Sequence, residues 1–339
     1  MACYNCRVTS IVLRRRRELS GLRPVDPARD MGAVADLIQA AFADDLDQAG
    51  YSMLREMRNV GRLGALLWWL DGAGSGLNQM LTGFVWVDAG QVVGNVTLTQ
   101  TPYTSDRWII SNVAVARPYR GRGIARSLMS AALDMIREWH GKVVTLQVRD
   151  DSLSALHIYQ TMGFEALFGT TYLRLDQVTP VSPVAPPGVQ LRPLRPADGE
   201  MAYQVGRAAT PHDVQTEQPV RLTDYQLGLE KRLTDWFRRL TGRVAALRLV
   251  AERGDRLQAI IVAEPTGRGS ESQIKLTVHP EERGRVEREL ISHALHHLCR
   301  WSPHVVVARH ATYHPEGVEG FRSFGFQIER TLLWMKRDM

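Results

Sequence analysis

The sequence has 339 residues, with 44% hydrophobic and 23% charged residues, which is a globular composition long enough for two domains. No apolar run reaches the roughly 20 residues of a membrane helix, and three cysteines in so long a chain argue against a disulfide scaffold. The net charge of +6 fits an anionic ligand, a nucleic acid or a solvated surface.

The first 20 residues have the composition of a basic, disordered tail. Arg14 to Arg17 follow a short apolar stretch, whereas a secretory signal has its charges first, so we expect a cytoplasmic protein. The arginine run could touch nucleic acid or lie in solvent. Cys3 and Cys6 form a C-x-x-C, but a closed zinc site needs four ligands, so no metal is predicted.

The two halves of the chain resemble each other on either side of a proline-rich stretch. "LRPVDPA" begins at Leu22 and "LRPLRPA" at Leu191, and the halves close alike in "IYQTMGF" and "GFRSFGF". Such similarity at similar spacing predicts two copies of one unit. We therefore expect a first domain over 21–176, a proline-rich linker over 177–188 and a second domain over 189–339.

The first copy opens with helical spacing over Met31 to Phe42, followed by a strand–turn–strand pattern with its turn at Asp88 to Gln91. Trp108 to Ala116 is an apolar, β-branched run typical of a buried strand. The early strands follow one another along the chain, and helices alternate with strands later. This order predicts an α/β domain of mixed α+β type, with a mostly antiparallel sheet flanked by helices.

Two helices and two strands are predicted after that run. Apolar residues repeat at helical spacing from Ile124, and Gly141 stops the pattern. Val143 to Val148 is a strand. The next helix has Asp151 and Ser152 as capping candidates and ends at Gly163, before the last strand "TYLRL".

The stretch "RGRGIA" lies between the buried strand and the helix from Ile124. A helix N-terminus has unpaired N–H groups and attracts anions. Gly121 and Gly123 let the backbone approach a ligand, and Ala125 keeps the first turn small. Three arginines can add charge-assisted bonds to phosphate oxygens, namely Arg120, Arg122 and Arg126. The pattern predicts a phosphate site, although it could also be a glycine-rich turn with solvated arginines.

"NVAVARPYRGRGIARSLM" resembles the main motif of the GNAT acetyltransferase superfamily, [QR]-x-x-G-x-[GA], here Arg120 to Ala125. The family's second element, N-x-x-[AS]-x-x-x-Y followed by G-F, is matched at Ala155, Tyr159, Gly163 and Phe164. Its first position is Ser152 instead of asparagine. The resemblance extends over about Leu22 to Leu175.

The resemblance implies an acyl-CoA ligand, usually acetyl-CoA, and assigns roles to these residues. Backbone groups of the strand before the loop would hold pantetheine, here Val113, Ala114 and Val115. Loop amides of Arg120, Gly121, Arg122, Gly123, Ile124 and Ala125 would hold the pyrophosphate. Ser152, Ala155 and Tyr159 share one helix face, which in the family lies beside the thioester sulfur, and Tyr159 is the candidate general acid.

The resemblance also implies a direct transfer in which an amine attacks the thioester. The family often uses a strand glutamate as base, but the matching strand reads Ser111-Asn112, and Asp88 or Asp106 are unsupported alternatives. The acceptor is expected over Ala43 to Gly83, where Trp68 and Trp69 could wall a pocket or pack in the core.

Aligned through Pro118 and Pro280, the second copy places Glu282 at Arg120, Arg285 at Gly123 and Glu287 at Ala125. Phe321 replaces Tyr159. Carboxylates facing phosphates would repel them, so we expect the second copy to bind no CoA and to be structural or to shape the acceptor site. Four histidines there, at 279, 293, 296 and 297, lack a complete ligand set.

These patterns favour an N-acetyltransferase that moves an acetyl group from acetyl-CoA to a small-molecule or peptide amine, with its site in the first domain. The alternatives are a non-catalytic acyl-CoA sensor or interaction protein, and a nucleic-acid-binding protein. No aromatic-basic RNA motif or helix-turn-helix pattern supports the last. We expect no membrane partner, and either a monomer with pseudo-dimeric domains or a homodimer.

Overall fold

A computed structural model of the chain describes residues 20–43, 50–59, 82–101, 106–185, 188–228, 233, 245–265, 271–299 and 305–339. The chain divides into two compact units. The first contains Met1–Gln147, His157–Glu165 and Met335–Met339, and the second contains Val148–Leu156 and Ala166–Trp334. The basic tail with its C-x-x-C, Trp68 and Trp69 lie outside the described residues.

Among its described residues, the first unit has the strands β1-β2-β3-β4-β5 in this order, with antiparallel neighbours except for the parallel pair β4–β5. The strands are β1 (Gly21–Pro24), β2 (Thr82–Asp88), β3 (Gln91–Gln100), β4 (Arg107–Val115) and β5 (Val143–Arg149). The helices are α1 (Pro27–Ala41), α2 (Ile124–Glu138) and α3 (Leu153–Thr161), the first turn of α3 being grouped with the second unit. Residues 50–59 are also helical.

Helix α2 is held close to the sheet by a glycine of β3. Its buried face repeats every fourth residue, from Ile124 through Leu128 and Ala132 to Ile136. A Cβ on Gly94 would lie 3.0 Å from both the Ile124 and the Leu128 side chains. This contact therefore requires a very small residue, and it fixes the position at which α2 begins.

Helix α1 begins at a side-chain cap, ahead of the helical spacing predicted over Met31 to Phe42. Asp26 accepts a hydrogen bond from the Ala28 N–H at 3.1 Å, and Pro27 takes the first helical position. Arg23 of β1 donates to both carboxylate oxygens of the buried Asp30, at 2.6 and 2.8 Å. The pair ties the first strand to the first helix.

The second unit repeats this plan with the strand order β12-β6-β11-β10-β9-β8-β7. Its strands are β6 (Glu165–Leu175), β7 (Gln190–Pro193), β8 (Leu247–Arg253), β9 (Arg256–Glu264), β10 (Ser272–Val278), β11 (Val306–Ala311) and β12 (Gln327–Asp338). Its helices are α4 (Gly199–Ala209), α5 (His212–Glu217), α6 (Leu222–Tyr225), α7 (Glu287–Cys299) and α8 (Pro315–Arg322).

The repeat extends to individual bonds. Arg192 of β7 donates to Asp198 at 2.6 and 3.1 Å, as Arg23 does to Asp30. β10 and β11 are parallel, as β4 and β5 are. The predicted mixed α+β fold with mostly antiparallel strands in both copies is confirmed.

The last strand of the first sequence copy lies in the second unit. β6 ends the first copy in sequence, yet it pairs antiparallel with β11 within the second unit, from Val306–Leu175 to Ala311–Thr170. The last residues of the chain belong to the first unit, where the Met339 N–H donates to the Lys142 carbonyl at 2.9 Å. The sequence repeat alone predicts that each copy keeps its own last strand.

Candidate active site

Strand β4 is bent by a bulge at the point where the predicted pantetheine strand begins. Its pairing with β3 shifts between Asn95 and Thr97, and Asn112 adopts φ +52°, a left-handed conformation in which asparagine is enriched. The buried Asn95 side chain donates to the Asn112 carbonyl at 3.0 Å and to the Thr97 hydroxyl at 3.3 Å. These bonds hold the bulge.

β4 separates from β5 beyond the bulge. The parallel register ends at Ile110 and Leu146, whereas β4 continues to Val115. On its other side β4 stays paired, with Ala114 opposite Asn95 and Val115 opposite Gly94. A strand with one neighbour has half of its N–H and C=O groups free for an extended ligand. Val113, Ala114 and Val115 therefore lie on this part of the strand, and their role in holding pantetheine stays a prediction.

The loop after β4 forms a short 3₁₀ turn over Arg117–Tyr119 and then uses two left-handed glycines. Gly121 has φ +75° and Gly123 has φ +77°, and a Cβ on either would meet nothing within 4 Å. The exposed space beside these glycines is thus open to a ligand. Gly123 is the N-cap of α2 and provides no side-chain cap.

Helix α2 presents unpaired amides to that open space. Its first intrahelical bond runs from the Ser127 N–H to the Gly123 carbonyl at 3.0 Å. Helix geometry therefore leaves the N–H groups of Ile124, Ala125 and Arg126 without intrahelical acceptors, at the positive end of the helix dipole. The arrangement suits a phosphate or pyrophosphate.

The three loop arginines are exposed and each is steadied by one bond within the unit. Arg120 donates to the Val115 carbonyl at 3.2 Å, and Arg122 to the Pro118 carbonyl at 3.0 Å. Arg126 donates to the Thr161 hydroxyl at 2.7 Å and so links α2 to the end of α3. Because a guanidinium has five N–H donors, each arginine keeps others for an anion.

Tyr119 braces the loop, a role that the sequence did not reveal. Its hydroxyl donates to Asp88 at 3.0 Å, and the Arg122 guanidinium lies 5.0 Å from its ring. The hydrogen bond to Asp88 raises the pKa of Tyr119. Asp88 lies in the β2–β3 turn, so the contact joins residues far apart in sequence. Only the tyrosine's position inside the motif could have drawn attention to it.

Tyr159 lies on α3 with its ring buried. The ring meets Phe164 edge-on at 6.1 Å, and desolvation raises the pKa of Tyr159 to about 12. The helix ends in a Schellman motif, in which Phe164 N–H donates to the Tyr159 carbonyl and Gly163 has φ +82°. The Tyr159 hydroxyl has no hydrogen-bond partner among the described residues. Ser152 precedes α3 and Ala155 lies in its first turn.

Each of the two aspartates suggested as a base has another side chain as its partner in the structure. Asp106 precedes β4, at the opposite end of the strand from Val115, and pairs with Lys142 at 3.6 Å. Asp88 is engaged by Tyr119. The acceptor segment predicted over Ala43 to Gly83 lies partly outside the described residues.

The second copy's loop follows the first with a one-residue correction to the alignment. The 3₁₀ turn at Pro280–Glu282 and the start of α7 match the first copy when Gly284, with φ +78°, is placed on Gly121. Arg283 then matches Arg120, and Val286 matches Gly123. Glu287 matches Ile124 instead of Ala125. Alignment through the prolines was wrong, because Pro118 is the second residue of its 3₁₀ turn and Pro280 is the first residue of its turn.

The histidines noted in the second copy form hydrogen bonds to nearby groups. His293 and His296 bond the carbonyls of Val184 and Val181 in the proline-rich stretch, at 3.2 and 2.9 Å. His297 bonds the Ala245 carbonyl at 3.0 Å, and His279 accepts from the Glu281 N–H. No group of three or more His, Cys, Asp or Glu side chains in the described parts of the chain could hold a metal ion.

The first copy thus combines a strand that leaves its neighbour near a bulge, an amide-lined loop and a helix N-terminus. Residues 40–164 match the model of the acetyltransferase (GNAT) family. This part of the first copy is therefore similar to GNAT acetyltransferases.

Known proteins resemble parts of this chain. N-alpha-acetyltransferase 30 of Schizosaccharomyces pombe is 31% identical over 83 residues, 24% of this chain and 55% of that protein. N-alpha-acetyltransferase RimI of Mycobacterium tuberculosis is 35% identical over 77 residues, 22% of this chain and 47% of that protein. The chain thus spans about half the length of these curated relatives.

Solved structures resemble nearly the whole chain. A GCN5-related N-acetyltransferase from Sphaerobacter thermophilus has a TM-score of 0.62 at 18% identity, over 94% of this chain and 95% of that one. A tandem GNAT protein from the clavulanic acid biosynthesis pathway has a TM-score of 0.53 at 19% identity, over 94% and 98%. At these identities the likeness shows the fold. In the described residues, no helix is long and apolar enough to cross a membrane.

Proposed function

We propose that this protein transfers an acetyl group from acetyl-CoA to a primary amine, by direct attack in a ternary complex. The active site lies in the first copy. The observation that supports this best is the loop between β4 and α2, where Gly121 and Gly123 open the backbone beside a helix N-terminus. The second copy has Val286 in place of one glycine and Phe321 in place of Tyr159.

Acetyl-CoA would be held mainly by backbone groups. The free edge of β4 at Val113 to Val115 suits the two amides of pantetheine, because both are extended and polar. The amides from Arg120 to Ala125 suit the pyrophosphate, and Arg126 adds positive charge.

The chemistry requires a neutral amine, a polarised carbonyl and a protonated leaving thiol. Backbone N–H groups at the free edge of β4 would stabilise the oxyanion that forms on the thioester carbonyl. Tyr159 is the proton donor to the departing sulfur. With its pKa raised to about 12, Tyr159 keeps its proton throughout the neutral range. The attacking ammonium would lose its proton to water.

The acceptor is a small-molecule or peptide amine. The sequence relatives include N-alpha-acetyltransferases and a streptothricin acetyltransferase from Streptomyces lavendulae, which is 35% identical over 82 residues. We propose that 21–176 is the catalytic domain, 177–188 the linker and 189–339 a domain that is structural or shapes the acceptor site. The protein would be either a monomer with pseudo-dimeric domains or a homodimer.

Release of CoA thiol with a panel of amines tests this function. The panel contains peptides with free α-amines and small primary amines, each with its N-blocked counterpart as the matched control. We expect thiol release only with free amines, accompanied by one acetyl group on the product. Tight acetyl-CoA binding without transfer to any amine would favour the acyl-CoA sensor instead.

A further inference from the structure

The phosphate-type loop of the second copy is occupied by a side chain of its own helix. The Glu287 carboxylate accepts the Gly284 N–H at 2.9 Å on one oxygen and the Val286 N–H at 3.1 Å on the other. Gly284 and Val286 match Gly121 and Gly123, whose surroundings are open. Glu287 is 3% exposed. An anion therefore already lies on the second loop.

Two buried histidines hold this carboxylate in place. His314 Nε2 lies 2.8 Å from the Glu287 carboxylate, and His314 Nδ1 lies 2.9 Å from His310 Nε2. Burial acts to raise the pKa of Glu287, but the hydrogen bonds from His314 and Gly284 lower it overall. The ionised carboxylate only accepts, so His314 Nε2 is its donor. A single proton lies in the hydrogen bond between His314 Nδ1 and His310 Nε2.

Two arginines near the second loop, Arg283 and Arg253, also bond to groups of the second unit. Arg283, which matches Arg120, donates to the carbonyls of Tyr313 and Ala209 at 3.0 and 2.8 Å. The buried Glu282 pairs with Arg253 at 3.0 Å. Arg283 is therefore half-buried with two carbonyl partners, whereas Arg120 is exposed and donates to one.

The first copy has a buried isoleucine, Ile124, at the position of Glu287. A buried ion is costly unless it is fully hydrogen-bonded, and an apolar residue of similar size is often as stable. Glu287 thus needs a reason beyond filling space. We infer that Glu287 is an internal anion that takes the place of the pyrophosphate, so that the second loop keeps its fold without CoA.

This inference deepens the proposed function, because it limits the chain to one acetyl-CoA per molecule. It can also be tested through the thermal stability of the protein, which is measured without acetyl-CoA. Failure of the acetyltransferase assay would therefore leave the following test intact.

Chemical rescue of the full-length protein tests the inference. Glu287→Ala removes two carbons and two oxygens, which are the heavy atoms of acetate. We expect this change to lower the midpoint of thermal unfolding by roughly 10 °C. Acetate at about ten times its dissociation constant should recover roughly 3–5 °C, relative to sodium chloride of equal ionic strength.

Glu287→Ile is the matched control, because it places the first copy's residue there and leaves no space for acetate. We expect no acetate-specific gain in this variant. Equal acetate effects on both variants, or no effect on Glu287→Ala, would refute the internal anion. If Glu287→Ala does not fold alone, acetate must raise its refolding yield and sodium chloride must not; failure of that difference also overturns the inference.

Discussion

Removing the Tyr159 hydroxyl should separate catalysis from stability. Tyr159→Phe keeps the buried ring and its edge contact with Phe164. The hydroxyl has no partner in the described residues, so its loss should change the free energy of unfolding by no more than about 1 kcal/mol. It should nevertheless slow the chemical step, because no other atom of the side chain can donate a proton.

The size of the catalytic effect follows from the pKa values involved. Burial raises the pKa of Tyr159 to about 12, whereas a free thiol has a pKa near 8.5. Full proton transfer to a relaxed thiolate would thus be uphill by about 3.5 pKa units, or about 5 kcal/mol. The proton should therefore move only as the C–S bond breaks. We expect kcat to fall about 10²-fold, at the lower end of general acid catalysis.

Steady-state kinetics with saturating amine measure this effect, with Tyr203→Phe on α4 of the second unit as the control. KM for acetyl-CoA should change little, since the hydroxyl acts on developing charge. The donor form persists below about pH 11, so Tyr159 should cause no alkaline loss of kcat in the neutral range. A Tyr159→Phe variant with kcat within about threefold of the wild type would refute the assignment.

Three further variants test the frame around the site. Asn95→Ala should lower the free energy of unfolding by about 2 kcal/mol in denaturant titrations and weaken acetyl-CoA binding in calorimetry, because the bulge loses its hydrogen bonds. Burial acts to raise the pKa of Asp30, but hydrogen bonds from its arginine partner lower it overall. The stability that ionised Asp30 contributes is therefore present above about pH 4 and lost at lower pH. Asp30→Asn should flatten the pH dependence of thermal unfolding below about pH 4. Gly83→Ala would place a Cβ 2.0 Å from the Val96 carbonyl oxygen at φ +156°, so it should cost about 3 kcal/mol in thermal unfolding. Gly32→Ala is the control for Gly83→Ala and should be neutral or stabilising, because it lies in helix α1 and a Cβ there would meet nothing within 4 Å.

The sequence predicts the elements around the loop closely, because local signals determine them. Helical spacing from Ile124 and the stop at Gly141 correspond to α2 over Ile124–Glu138. The turn at Asp88 to Gln91 corresponds to the β2–β3 hairpin. Gly163 ends α3 in the predicted left-handed conformation. Each of these signals acts over a few residues.

The features that the sequence missed depend on contacts between distant residues. The bulge at Asn112 is held by Asn95, and the loop is braced by a bond from Tyr119 to Asp88. Glu287 and His314 meet across 27 positions. No periodicity marks such pairs. The sequence also does not reveal that β6 lies in the second unit, because a last strand has the same pattern in either unit.

Acetyl-CoA binding to the first loop is the central claim, and calorimetry measures it directly. Gly123→Glu adds charge and bulk at the proposed pyrophosphate site. Gly254→Glu is matched to it, since Gly254 is also left-handed, at φ +60°, with nothing within 4 Å of its Cβ position. The account predicts one acetyl-CoA bound per chain in the wild type and Gly254→Glu, and none in Gly123→Glu. Undiminished binding in Gly123→Glu, or no binding in the wild type, would contradict it.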